Sequence, residues 1–323
     1  MTTRLFVDAW DPAYGTSFEG GAGGPAAPSS AQVDAGVEVP ADAWHPVGRP
    51  EHVAPPDVVL MVDGVRRIDA SVWTEEDDGG TYPGVAASYA AGVVRCDLGR
   101  GVAELAGRPR VARGLFTARP SAVDVVAGQL RYVVHRVGGG GELAKLPAAV
   151  QAPLTALEVE VSRTVRTDDD LLVVDGPLRN RRQLPRTIGY VKTQHSQYLE
   201  ARHSAVVTSL GPGERSPVFA LGTAWGGWSW YLRLPGPGGP PWAGIVRVEC
   251  SAELPVDEAV HLAELSQVTL PRFASTSYKD PRAPQNLIPI AGLERRLRGL
   301  LGDARLLHRA LTTATARAAR RSG

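Results

Sequence analysis

The sequence predicts an α/β protein in which a mixed β-sheet core is flanked by helices, with a Gly/Pro-rich arm before it and a helix near its C-terminal end. Three observations lead there. The runs Val58-Val59-Leu60-Met61-Val62 and Leu171-Leu172-Val173-Val174 are short, apolar throughout and followed by Asp-Gly, the pattern of strands buried on both faces. Between them Leu146, Val150, Leu154, Leu157, Val161 and Val165 recur at steps of four and three, the period of an amphipathic helix. Leu293, Leu297, Leu300, Leu301, Leu307 and Leu311 form a second such face.

Taken in chain order, residues 1–56 are rich in Gly, Pro, Ala, Ser and Asp with no sustained period, and are expected to form an extended or loosely packed arm. The folded domain is expected over 57–316. It opens with strands over 57–63, 88–97 and 102–116, the last two joined near Gly99-Arg100-Gly101. The helix over 146–165 follows, with Pro153 as a kink or as its true start. After the acidic turn Asp168-Asp169-Asp170 come strands over 171–175 and 187–193, then strand candidates at 205–210, 218–222, 229–234 and 245–250. Helices are expected over 256–267 and 290–315, and a frayed basic tail over 317–323.

Composition excludes several classes. The formal net charge of +1 over 323 residues is not that of a globally basic nucleic-acid-binding surface, although a local groove can still be basic. Cys96 and Cys250 lie far apart and outside any metal-ligand spacing, so they read as buried structural thiols. No run approaches the roughly 20 apolar residues of a membrane span, and no basic-then-apolar leader is seen, so a cytoplasmic location is expected. Lysine occurs only at Lys145, Lys192 and Lys279, and nearly all of the 35 basic residues are therefore Arg. A position that remains Lys supplies a compact point charge in place of a planar fork.

The chemistry is expected at the carboxylates. In the predicted helix Glu158 lies four residues after Leu154 and three before Val161, on the apolar stripe, whereas Glu160 points the other way. An inward carboxylate has to be protonated, paired or bound to a cation. Packed across the sheet, the helix would bring Glu158 toward the ends of the two acidic strands, grouping it with Asp63 and Asp175. Three such carboxylates suit a hard divalent cation, Mn²⁺ or Mg²⁺, and hence phosphodiester hydrolysis. Carboxylates on a first strand, a following helix and a fourth strand match an RNase H-like arrangement.

The segments Val62-Asp63-Gly64, Val174-Asp175-Gly176-Pro177-Leu178 and Ile188-Gly189-Tyr190-Val191-Lys192-Thr193 resemble the NurA nuclease family over residues 57–301. That resemblance implies an RNase H-like, PIWI-related fold and a manganese-dependent nuclease, a 5′–3′ exonuclease or single-strand endonuclease. It also implies work with a HerA-like hexameric ATPase in DNA end processing, and a homodimer. It assigns Asp63, Glu158 and Asp175 as metal ligands and catalytic residues and Lys192 as a further catalytic residue. Two departures stand out: the family's Asp-Gly-Ser reads Asp63-Gly64-Val65, with Asp69 and Ser71 close behind, and the segment from Tyr278 to Pro289 has no His where the family has a metal ligand. Asp280 or Asn286 would supply the replacement oxygen.

Other features carry two readings each. Arg179, Arg181, Arg182 and Arg186 form the densest basic stretch after Asp175, a phosphate-backbone contact or a solvated loop. His195 and His203 read as satisfied or exposed histidines before they read as ligands. Trp225, Trp228, Trp230 and Tyr231 would stack on unpaired bases or fill a core. The four-Gly run at 138–141 lacks the Lys-Ser/Thr of a phosphate loop, which leaves an ATPase unsupported. Beside the nuclease stand two further expectations, a catalytically degenerate scaffold subunit that binds DNA or the ATPase, and a phosphohydrolase acting on small nucleotides.

Overall fold

The computed structural model describes residues 27–28, 31–75, 80–138, 145–192, 196–222, 226–236 and 239–322. Its strands are β1 (Ala27–Pro28), β2 (Gln32–Asp34), β3 (Val58–Glu75), β4 (Thr81–Asp97), β5 (Val102–Thr117), β6 (Val125–Ala127), β7 (Leu130–Arg136), β8 (Leu171–Asp175), β9 (Thr187–Val191), β10 (Ser196–Gln197), β11 (Phe219–Gly222), β12 (Gly227–Arg233) and β13 (Ile245–Ser251). The helices are α1 (Leu146–Ala149), α2 (Gln151–Arg163), α3 (Ala201–Ser209), α4 (Val256–Thr269), α5 (Ile288–Leu300) and α6 (Ala304–Ser322). The architecture is mixed α/β, with largely antiparallel strands and flanking helices. The chain divides into two compact units, one of Met1–Val62, Val94–Glu104 and Arg166–Ala291, the other of Asp63–Val93, Leu105–Val165 and Gly292–Gly323. A single domain over 57–316 was expected from sequence. The long strands β3, β4 and β5 each contribute a segment to both units, a division that strand-length apolar runs do not reveal.

In the first unit the strand order is β2-β11-β12-β13-β9-β8-β3-β4-β5. The start of β3 pairs in parallel with β8, Val59 opposite Leu171 through Val62 opposite Val174, and β8 pairs in parallel with β9. Parallel strands need a crossover between them, and the apolar run of β8, buried from Leu171 to Val174, is what a strand covered on both faces requires. From β9 outward the ladder is antiparallel through β13, β12, β11 and β2. Helix α4 covers part of this sheet, and Trp230 in β12 donates from its indole to Ser266 Oγ at 3.0 Å.

Residues 31–56, expected as a loose arm, instead belong to this core. Trp44 and Ala35 are buried with Leu199, Val207, Phe219, Tyr231 and Ile245. Glu38 accepts two 2.7 Å hydrogen bonds from the guanidinium of Arg215, itself only 1% exposed, and Gln267 accepts a third at 3.0 Å. The composition of the segment hid this because two aromatic or charged anchors suffice to dock a chain that has no period. Residues 205–210, expected as a strand, lie mostly in α3; Val206 and Val207 face the core cluster from a helix too short to show its period.

In the second unit the order is β3-β4-β5-β7-β6. Strand β4 is buried almost continuously from Gly84 to Val94 by small residues, and β5 exposes its first half. Asp69 is buried and accepts from Ser88 Oγ at 2.5 Å, Tyr132 OH at 3.0 Å and Arg67 at 2.9 Å, so it is fully engaged in the core. Burial, and next the Asp69 charge, push the Tyr132 phenol up to about 12. The C-terminal helix expected over 290–315 is two helices. Gly302 at φ +83° ends α5, Arg67 Nη1 donates to its carbonyl at 2.7 Å, and Asp303 Oδ1 caps α6 by accepting from Leu306 N at 2.9 Å. The tail expected to fray continues α6 to Ser322.

Cys96 and Cys250 are both buried free thiols, and burial pushes the Cys96 thiol up to about 12 and the Cys250 thiol higher still. Thiolate is the reactive form, so neither is expected to react with a disulfide reagent such as DTNB in the native protein at pH 8. Both should react once the chain is unfolded in guanidinium; rapid native labelling of either would contradict their placement.

Candidate functional site

The predicted site residues fall into two sets, one in each unit. In the first unit Asp175 closes β8, one residue past the Val62–Val174 pair, and the chain turns at once through Gly176, whose φ of +108° a side chain would oppose. Gly176 N donates to Tyr190 O at 2.8 Å, which anchors the turn on β9. Lys192, just past β9, donates from Nζ to Asp175 Oδ2 at 2.6 Å and to Asn286 Oδ1 at 3.0 Å. Asp175 Oδ1 is buried and receives no hydrogen bond among the described residues. A buried carboxylate oxygen with no donor is costly unless a cation or ligand donor reaches it.

Asp280 and Asn286 stand behind this pair. Asn286 is fully buried and donates from Nδ2 to Asp280 Oδ2 at 2.5 Å, while Asp280 Oδ1 accepts from Arg282 N at 2.8 Å. Burial pushes the Asp280 carboxyl up, but the Asn286 and Arg282 hydrogen bonds and the Arg282 charge outweigh it and hold the group below the usual carboxylate range. Tyr190 OH donates to Gln285 O at 2.6 Å; its phenol is raised well above its ordinary range by burial and then by the Asp175 charge.

In the second unit Asp63 accepts from Gly64 N at 2.7 Å, and Glu158 is buried at 5% exposure on α2, as its place on the apolar stripe predicts. Arg66 Nη1 donates to Gln151 Oε1 at 2.8 Å, tying the first turn of α2 to β3. The helix starts at Gln151, with Pro153 in its first turn, and Glu160 is exposed. A Cβ at Gly64 would lie 2.3 Å from Glu158 Oε1 and 2.7 Å from Leu154 Cδ1, so a side chain here would displace the ends of both from the strand. Gly64→Ala is therefore expected to destabilise the protein by about 1–3 kcal/mol through overpacking, read as a lower urea midpoint at unchanged slope.

The oxygen donors in both sets are of the kind Mg²⁺ or Mn²⁺ takes. Among the described residues, however, no group of three or more His, Cys, Asp or Glu side chains is placed to hold a metal ion. The expected ligands Asp280 and Asn286 are committed to other partners, for a reason sequence does not carry: the peptide of Arg282 and the ammonium of Lys192 reach them first.

The remaining candidates separate clearly. Arg181 is buried and its Nη1 donates to Pro177 O at 3.0 Å, so its guanidinium is spent inside the turn and unavailable to a phosphate. Arg186 donates to Asp170 O at 3.3 Å; Arg179, which burial drives down against the opposing charge of Glu249, is half-buried, as is Arg182. Arg179 and Arg186 hold left-handed backbone, at φ +43° and +42°. His203 is buried against Trp44 and pairs with Ala41 O at 2.8 Å, a satisfied core histidine; His195 lies outside the described residues. Trp230 and Tyr231 are core, Trp228 donates to Leu254 O at 2.9 Å, and Trp225 lies outside the described residues.

Sequence reasoning passed over Glu249. From β13 it accepts from Leu178 N at 2.7 Å and from Arg247 Nη1 at 2.5 Å, and thereby fixes the turn that follows Asp175. The signal was present: Arg247 and Glu249 are charged residues at a two-residue spacing on an otherwise apolar strand, and so share one face. No protein-family model and no curated protein matches the chain.

Proposed function

We propose that the protein is a metal-dependent DNA nuclease with an RNase H-like core, resembling the NurA family and working with a HerA-like ATPase on single-stranded or exposed DNA ends. The observation that carries the reading is Asp175: a half-buried carboxylate at a strand end, with one oxygen clamped by an ammonium and the other, itself buried, without a donor among the described residues. Strand order supports it as well, since β5-β4-β3-β8-β9 sets the first acidic strand between its hairpin partners and the parallel second acidic strand. The family resemblance assigns Asp63 and Glu158 of the second unit and Asp175 of the first to Mn²⁺ or Mg²⁺, which when bound supplies Lewis-acid charge to a scissile phosphodiester. Lys192 offsets the negative charge of Asp175 and offers an N–H to a phosphate oxygen. Gly64 keeps Glu158 against β3.

The test is digestion of linear and single-stranded DNA by the purified protein with Mn²⁺, with EDTA, and by Asp63→Ala. Metal-dependent degradation lost in the variant, at unchanged circular dichroism, is the expected result; equal degradation by the variant would end the reading.

A second reading, a catalytically degenerate subunit that keeps the fold and a partner surface, is favoured by one observation: no described acidic or His/Cys group is assembled to hold a metal. Calorimetry separates the two. Absence of Mn²⁺ binding together with capture of a hexameric ATPase would favour the scaffold. Partners are proposals throughout, including the homodimer and the phosphate contacts of Arg179, Arg182 and Arg186; no helix among the described residues is long and apolar enough to cross a membrane.

A further inference from the structure

We propose that Asp280 and Asn286 are positioning residues, which fix the Lys192 ammonium against Asp175 Oδ2. The purpose of the arrangement rests on the nuclease reading; the arrangement itself rests on geometry within one unit. The order of contacts is directional. Asp280 is held through Oδ1 by Arg282 N, and its Oδ2 accepts from Asn286 Nδ2 at 2.5 Å. With its amino end committed to a carboxylate, the amide presents Oδ1 to Lys192 Nζ at 3.0 Å. The flipped amide would set a carbonyl oxygen against the Asp280 carboxylate and N–H donors against an ammonium, so only one orientation satisfies both neighbours.

Asn286 is fully buried. Lys192, fixed on this side, donates to Asp175 Oδ2 at 2.6 Å. Two of its three N–H groups are thus committed among the described residues, and the third is the one an anionic oxygen of a substrate would take. Asp280 and Asn286 make poor metal ligands where they stand, because a divalent ion there would sit against the cations Lys192 and Arg282.

Lys192 is one of three lysines, and both others, Lys145 and Lys279, are exposed. In ¹⁵N-lysine-labelled, metal-free protein, Lys192 should therefore give an ammonium resonance shielded from exchange with water, assigned by its loss in Lys192→Met. Asp280→Ala and Asn286→Leu should speed its exchange at least severalfold, and Asp280→Asn, which keeps an oxygen acceptor, should retain the slow signal. In DNA digestion Asp280→Ala should lower kcat by about tenfold or more with KM for DNA little changed, as loss of an outer partner does. Lys192 exchange that is fast in the parent, or unaltered in Asp280→Ala and Asn286→Leu, would overturn the proposal. Should Asn286→Leu not fold, the less buried Asp280→Ala decides. A parent protein without nuclease activity removes the nuclease reading, and the ammonium exchange then decides the positioning roles alone.

Discussion

Asp175→Asn is expected to reduce manganese-dependent DNA hydrolysis by at least about 10²-fold, the scale at which loss of a charge-stabilising group acts in a preorganised site. The substitution keeps the shape of the side chain and removes its charge. Its oxygen facing Lys192 survives as an amide acceptor, but the buried Oδ1 position, which receives no donor among the described residues, loses the charge that would hold a divalent ion. The change also leaves the Lys192 ammonium less well compensated in a half-buried place, so some stability is lost for a reason unrelated to catalysis. The double variant Asp175→Asn/Lys192→Met separates the two effects. It relieves the charge and should regain stability, yet remain inactive. Activity in Asp175→Asn within a few-fold of the parent would remove Asp175 from the site.

Glu38→Ala is expected to lower stability by about 3–5 kcal/mol, the range for breaking one side of a buried ion pair. Arg215 is almost wholly buried, and Glu38 supplies two of its hydrogen bonds, with Gln267 and the Ser216 carbonyl supplying others. Glu38 also accepts from Val218 N at 2.6 Å, so a buried backbone donor loses its partner in the same substitution. Neither group can be rehydrated without opening the core around β11 and β12. Urea unfolding followed by tryptophan fluorescence measures the loss, and Glu38→Ala/Arg215→Met should recover much of it by removing the stranded charge. An unchanged midpoint for Glu38→Ala would show that residues 31–48 do not contribute to this core.

What was legible in the sequence depends on local pattern. Asp175 ends β8 as its apolar run before Asp-Gly predicts, and Glu158 is buried as its phase on the apolar stripe of a helix predicts, whereas the expected strand end at Asp63-Gly64 is overturned, because β3 continues through it to Glu75. Lys192 stood out through the scarcity of lysine and through the family resemblance of its segment. What failed were residues whose role depends on a neighbour distant in sequence. Arg181 reads like its neighbours in an exposed basic loop, yet its guanidinium turns inward onto Pro177. Asp280 and Asn286 read as free oxygen donors, yet Arg282 and Lys192 occupy them.

By itself the sequence determined that an apolar strand ends at Asp175 and which face of α2 is buried, since each follows from a period or a turn dipeptide within one short segment; the same dipeptide at Asp63-Gly64 predicts an end that β3, running on to Glu75, does not take. Only the tertiary structure decided how the chain divides into two units, that the Gly/Pro-rich segment docks through Trp44 and Glu38, and that Asn286 faces Lys192. These are pairings between residues far apart along the chain, and a hydrogen bond or ion pair leaves no period in the sequence that makes it.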